Sequence, residues 1–317
     1  MLVLKKDRVY QGNLILVNQK YAVQKQLQQR ELCPVFESQP KILMERESAQ
    51  MLKKLLAELK EEESDSFVVG VSGYRPRQEQ VKIFEDSLAE HGRAFTEKYV
   101  ATPDHSEHQT GLAIDLAQDG PEIDFICPEF PYEGICQRFR EKMASFGFVE
   151  RYPAEKQDIT GIGAEPWHFR YVGVPHAELM QEHGMVLEEY IEWIKQFDLR
   201  QNPCILHMQD KEVRIGYVKA QGDYTRIEGL ETAMERTRIG YIKLREKSRI
   251  SWKACGLGRG GSFHTSGVYK SGVVRTSLQI SGDNTEGFIL TYMMGENLSG
   301  DRGVGAGYET EKKLCSN

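Results

Sequence analysis

A chain of 317 residues with 40% hydrophobic and 28% charged side chains has the balance of a globular protein, enough for one large or two moderate cores. Its formal net charge of −6 is modest and gives no electrostatic footing for a nucleic-acid or anionic-membrane partner. The six cysteines, at 33, 127, 136, 204, 255 and 315, form no CxxC pair, which excludes a dense disulfide framework and points to reduced thiols.

Met1–Asp7 carries no apolar stretch of signal-peptide length, and no window approaches the roughly 20 apolar residues that span a bilayer. A cytoplasmic protein without a membrane segment is therefore expected. Residues 13–17 read as a short buried strand. From 41 to 62 the period changes: Leu52, Leu55, Leu56 and Leu59 fall at helical spacing, with Lys and Glu opposite. Residues 67–71 form a second buried strand that ends in Ser72-Gly73-Tyr74-Arg75-Pro76. Proline disfavours helix at the residue before it and suits a first helical turn, so Arg75 belongs at a strand-to-helix junction. A helix over 77–90 puts Gln80, Ile83 and Phe84 on one face, and 94–99 adds a short one.

Next comes Ser106-Glu107-His108-Gln109-Thr110-Gly111, followed by an alternation over residues 112–116. Leu112, Ile114 and Leu116 go to one face, and Ala113 and Asp115 go to the other. A turn at Gly111 brings His108 back over Asp115. Residues 118–133 hold three prolines and read as an irregular loop. A helix is expected over 134–146 with Gly147 ending it, then strands at 148–152 and 167–172, and a helix at 186–197. Beyond Gln201-Asn202-Pro203 the character shifts to short strands and glycine-rich turns. Arg214-Ile215-Gly216-Tyr217-Val218-Lys219 is echoed by residues 238–243, which fits a local duplication or two similar strands of a small β module. Residues 256–261 are flexible by composition, and the polar tail from 295 is expected to be largely disordered.

His108, Asp115 and His168 offer two neutral nitrogens and one carboxylate, a mix that suits zinc. Three protein ligands leave a fourth position free, which marks a catalytic site. Glu165, three residues before His168, is the candidate base. Pro166 suggests that Glu165 lies in a loop ahead of the strand, from which its carboxylate can turn to the metal. Arg75 is the candidate cation for a developing oxyanion. Each residue also has a plainer reading. Asp115 suits a helix cap or a solvated charge, Arg75 a surface pair, Gln80 a solvated helix face, and Trp167 and Phe169 the core. The other six histidines are read as ordinary residues, and Cys127 and Cys136 as buried thiols rather than metal ligands.

Ser106-x-His108-x-x-Gly111-x-Ala113-x-Asp115 with Glu165-x-Trp167-His168 resembles the VanY/VanX zinc D,D-peptidases. Ser72-Gly73-Tyr74-Arg75, with Gln80 five residues on, resembles their upstream motif, and residues 14–18 resemble the first strand of VanY-type carboxypeptidases. The likeness covers residues 10–198 and is greatest to the soluble VanXY type, which combines dipeptidase and carboxypeptidase activity. It implies an α+β fold, a small antiparallel sheet flanked by helices of the D,D-peptidase/hedgehog-like type, with Zn2+ on His108, Asp115 and His168. It also implies Glu165 as base and Arg75 as oxyanion stabiliser. Ser106 would hold the substrate carboxylate, while Gln80 and Trp167 line the pocket. The implied partners are D-Ala-D-Ala and D-Ala-ending muropeptide precursors, whose removal supports vancomycin resistance. Alternatives are a catalytically silent binding module or an L-Ala-D-Glu endopeptidase. The expected organisation is a catalytic domain over 1–200, a β-rich appendage over 201–294 that serves packing or a homodimer, and a tail over 295–317.

Overall fold

The computed structural model describes residues 2–62, 67–208, 211–228, 262–269 and 272–295. The chain forms two compact units, one of residues 13–191 and one that joins residues 1–12 to residues 192–317.

In chain order, β1 (Leu2–Lys5) is followed by a 3-10 turn at Lys6–Tyr10. The unit 13–191 then contains β2 (Leu32–Pro34), β3 (Leu43–Glu45), α1 (Arg46–Glu62), β4 (Val68–Ser72), α2 (Arg77–His91) and α3 (Arg93–Tyr99). It continues with β5 (Ala113–Gln118), α4 (Gly134–Met143), β6 (Phe148–Tyr152), α5 (Gln157–Thr160), β7 (Glu165–Tyr171) and α6 (His176–His183). The helix α7 (Leu187–Ile194) runs across the boundary between the units.

The larger sheet of this unit has four antiparallel strands in the order β4-β5-β7-β6, and β2 pairs separately with β3. The leucines of α1 supply one wall of its core: Leu52, Leu55 and Leu59 are buried with Ile114, Leu116, Phe139 and Phe169. Helix α1 starts where it does because the Glu45 carboxylate accepts from the Glu47 and Ser48 amides, and the Ser48 hydroxyl donates back to the Glu45 carbonyl. It therefore begins at Arg46, and residues 43–45 of the predicted helix are strand. Residues 63–66 lie outside the described residues.

Two expectations are corrected. Residues 13–17 form no strand, although Leu14, Ile15, Leu16 and Val17 are buried. Their backbone acceptors are used differently: the Asn13 and Ile15 carbonyls accept from the Arg170 guanidinium at 2.9 and 3.0 Å. Helix α6 was not anticipated, since its large apolar residues, Leu179 and Met180, are adjacent and set no helical period.

The second unit holds β8 (Cys204–Met208), β9 (Lys211–Lys219), β10 (Tyr224–Ile227), β11 (Ser262–Tyr269), β12 (Gly272–Gly282) and β13 (Gly287–Gly295). Five of them make an antiparallel sheet in the order β11-β12-β13-β9-β8, and β10 pairs with β1. Leu4, Val9, Leu199, Ile227, Ile280, Phe288 and Leu290 form its core. Arg214–Lys219 lies in β9, whereas its echo at 238–243, residues 256–261 and the tail from 296 lie outside the described residues. Among the described residues no helix is long and apolar enough to cross a membrane.

Candidate metal centre

His108 sits in a 3-10 turn, Glu107–Thr110, that Gly111 ends in the left-handed region at φ +68. A Cβ on Gly111 would also press on Leu27 at 2.7 Å and on the Glu45 amide nitrogen at 3.0 Å, so glycine is required twice over. The turn is tied to the end of β4, where the Arg75 amide donates to the His108 carbonyl. Gly73 is required for space: a Cβ there would collide with the Leu43 carbonyl oxygen. Asp115 lies in β5 and His168 directly opposite it in β7. Sheet register thus brings together residues that sequence spacing alone does not connect.

The ligand atoms of His108, Asp115 and His168 all lie within 4.8 Å of one another, and all three residues are buried. His108 Nδ1 stands 2.7 Å from the Gly73 carbonyl oxygen, which can only accept, so the ring proton is on Nδ1 and Nε2 carries a lone pair. That lone pair faces Asp115 Oδ2 at 3.1 Å and has no hydrogen-bond partner. Burial pushes the His108 imidazole down to about 4, so it is neutral near pH 7. A nitrogen lone pair held against a carboxylate oxygen is the arrangement that a cation relieves.

His168 Nδ1 lies 2.9 Å from Asp115 Oδ1 and 3.6 Å from Glu165 Oε2. Burial opposes a charge on His168, yet the Asp115 and Glu107 carboxylates push it up to about 9. The cluster therefore favours positive charge among these groups, and the donor set fits a divalent metal such as zinc. Arg75 Nη2 stands 3.8 Å from Asp115 Oδ2.

Glu165 corrects the expected loop, because it is the first residue of β7 and pairs with Tyr152. In an unbroken strand, residues three apart face opposite ways. The β6–β7 register shifts between Glu150 and Tyr152: Glu150 pairs with Phe169, but Tyr152 pairs with Glu165. The extra residues bulge around Pro166, and Glu165 and His168 come to one side. The bulge has its own anchor, since Arg140 Nη2 donates to the Pro166 carbonyl at 2.7 Å. The same guanidinium donates to the Phe130 and Pro131 carbonyls and to Glu150. Burial pushes the Glu165 carboxyl up to about 8, against the pull of His168 and Arg75.

The remaining expected site residues divide. Ser106 is buried immediately before the His108 turn. Gln80 is buried in the first turn of α2, with its amide nitrogen donating to the Ala101 carbonyl at 2.7 Å and its oxygen left without a hydrogen-bond partner. Trp167 is half-buried, packed against the core cluster. Cys136 is buried in the same cluster and joins no metal-ligating group among the described residues.

Sequence reasoning missed Glu107, Arg151, Arg170, Glu188 and Arg140. Glu107 Oε1 accepts from Arg151 Nε at 2.9 Å and from Arg170 Nη1 at 2.7 Å. Glu188 holds Arg151 through both carboxylate oxygens. Burial alone would raise Glu107, but Arg151 and Arg170 hold it far below the usual carboxylate range. One signal was available: Arg170 stands between two core aromatics, Phe169 and Tyr171.

Residues 41–174 match the family description D-alanyl-D-alanine carboxypeptidase, VanY. The chain is 47% identical over 127 residues to the bifunctional D-Ala-D-Ala dipeptidase and D-Ala-D-Ala carboxypeptidase VanXYC of Enterococcus gallinarum, over 40% of this chain and 67% of that protein. It is 30% identical over 203 residues to a D-alanyl-D-alanine carboxypeptidase of Enterococcus faecium, over 61% of this chain and 62% of that protein. The chain thus spans close to two thirds of the length of these curated relatives. Among solved structures, the vancomycin resistance D,D-dipeptidase VanXYg in complex with a D-Ala-D-Ala phosphinate analogue gives a TM-score of 0.72 at 38% identity, covering 92% of this chain and 98% of that one.

Proposed function

This chain belongs to the VanY family of D-alanyl-D-alanine carboxypeptidases, and from that premise we propose that it is a zinc-dependent D,D-peptidase. Its substrates are D-Ala-D-Ala and the terminal D-Ala of peptidoglycan precursor pentapeptides, an activity that supports vancomycin resistance. The relatives named above carry the substrate class. The observation that carries the chemistry is the convergence of His108, Asp115 and His168 with Glu165 over the two central strands of one sheet.

His108 Nε2, an Asp115 oxygen and His168 Nδ1 would hold zinc. Zinc, when bound, polarises the scissile carbonyl and lowers the pKa of water toward neutrality. Glu165 takes the proton of the attacking water and passes it to the leaving D-Ala nitrogen. Burial keeps that carboxylate dry, and a nearby cation favours its ionised form. Arg75, held at the β4–α2 junction by its own amide, offers a fixed guanidinium to the oxyanion. Ser106 and the unpartnered Gln80 oxygen are polar groups for the substrate backbone, and Trp167 is a wall.

The test is release of D-Ala from D-Ala-D-Ala, D-Ala-D-Ser and a D-Ala-ending pentapeptide, with chelator and after zinc is restored. The expected result is chelator-sensitive hydrolysis of the D-Ala-ending substrates. No release from any of them, with zinc bound, would favour a silent binding module, and cleavage only of larger wall fragments would favour an endopeptidase. A cytoplasmic location and a homodimer complete the reading, checked by fractionation and by light scattering.

A further inference from the structure

The Glu107 side chain is fully enclosed and immobilised on one oxygen only. Oε1 takes both guanidinium contacts, Arg151 Nε and Arg170 Nη1. Neither cation can yield. Arg151 is gripped by Glu188 at 2.8 and 2.7 Å, and Arg170 also donates to the Asn13, Ile15 and Tyr171 carbonyls. Oε2 is left buried without a hydrogen-bond partner, and so is His168 Nε2. These two atoms face each other at 3.6 Å. The His168 ring is further confined by Tyr152, whose ring centroid lies 4.9 Å away. Closing the gap by about half an ångström would give an ordinary N–H···O bond.

We infer that Glu107 is a positioning residue: its clamped carboxylate accepts the His168 Nε2 proton, so that the ring presents Nδ1 to the metal as a lone pair. This rests on the zinc reading above and deepens it. The other histidine obeys the same logic, with its Nδ1 proton given to the Gly73 carbonyl and Nε2 left free. Partners of this kind fix the tautomer and angle of a ligating imidazole and raise its basicity. A carboxylate serving only to neutralise Arg151 and Arg170 would need no free oxygen aimed at His168.

The test uses the full chain and zinc ion alone, with affinity measured by competition against a fluorescent chelator. Glu107→Gln keeps an oxygen for the two arginines and turns its NH2 toward His168 Nε2, so donor meets donor. The expected result is an affinity about 10- to 100-fold weaker than wild type. Glu188→Gln loosens one of the two guanidinium groups that hold Glu107 but leaves its Oε2 facing His168 Nε2, so zinc affinity should fall by less than in Glu107→Gln. A folded Glu107→Gln chain with wild-type zinc affinity overturns the inference while leaving the zinc enzyme intact. A wild-type chain that takes up no zinc overturns both. Should Glu107→Gln fail to fold, the wild type decides. In the zinc-loaded chain with 15N-labelled histidine, His168 should be protonated at Nε2, with that proton protected from exchange. Protonation at Nδ1, or an unprotected proton, overturns the inference.

Discussion

Arg140→Met tests whether the bulge around Pro166 aims the Glu165 carboxylate, the proposed base. Methionine has nearly the length of arginine and none of its donors. The substitution removes four hydrogen bonds of 2.7–2.9 Å, to Glu150, Pro131, Phe130 and Pro166. A buried acceptor left without a partner costs about 1–3 kcal/mol. The carbonyls of half-exposed Pro131 and Pro166 regain water, so the Phe130 carbonyl and the Glu150 carboxylate carry most of the loss. Breaking a pair as enclosed as Arg140–Glu150, with side chains 7% and 12% exposed, brings the total to about 3–5 kcal/mol. At about 2–4 °C per kcal/mol for a unit of this size, the melting temperature should fall by roughly 6–20 °C. The functional effect is separate. A reacting group displaced by about 1 Å costs about 100-fold in rate, so kcat for D-Ala release should fall about 10- to 100-fold while KM changes little. Thermal unfolding and steady-state kinetics, the latter well below the melting point, read the two effects independently. A variant that is destabilised as calculated but keeps the wild-type kcat would refute the idea that Arg140 aims Glu165.

Glu165→Ala should abolish hydrolysis while metal content stays near one ion per chain by elemental analysis, and retained activity would remove Glu165 from the mechanism. Gly73→Ala drives a Cβ into the Leu43 carbonyl and must move the backbone that His108 and Arg75 lean on. Zinc affinity and kcat should both drop in a chain whose circular dichroism is unchanged. His176, buried against the Tyr190 hydroxyl, gives a pH-dependent stability. Burial pushes its imidazole down to about 3, so the unfolded chain takes up the proton first as pH falls below about 6.5. Its contribution is intact above that pH and is lost toward pH 3, at about 1.4 kcal/mol per unit. Urea unfolding of zinc-loaded protein between pH 7 and 4 should therefore be less steep in pH for His176→Gln than for wild type.

The clustering of His108, Asp115 and His168 was legible because chemistry restricts residue type: two histidines and an aspartate at motif spacing admit few alternatives. Strand polarity was legible too, since Ile114 and Leu116 reach the core and Asp115 the opposite face. Groups whose role depends on enclosure were not. Glu107 in the sequence is one more acid in a first turn, and only the fold shows two guanidinium groups closed over it. Arg140 and Arg151 look like solvated charges until burial turns them into clamps. An apolar run such as residues 13–17 says that side chains are buried but not which donors its carbonyls meet, and here Arg170 replaces a neighbouring strand. The bulge at Pro166 was hidden for a related reason, because parity along a strand assumes that no residue is inserted.

The pairing of β1 with β10 has a consequence for synthesis. The residues 13–191 are one continuous run, but the sheet edge Leu2–Lys5 waits for Tyr224–Ile227. At about 5–20 residues per second, the ribosome needs roughly 10–45 s to cover that interval. The unit of residues 13–191 can therefore mature on the ribosome while the first strand still lacks its mate, exposed to chaperones and proteases until the later segment emerges.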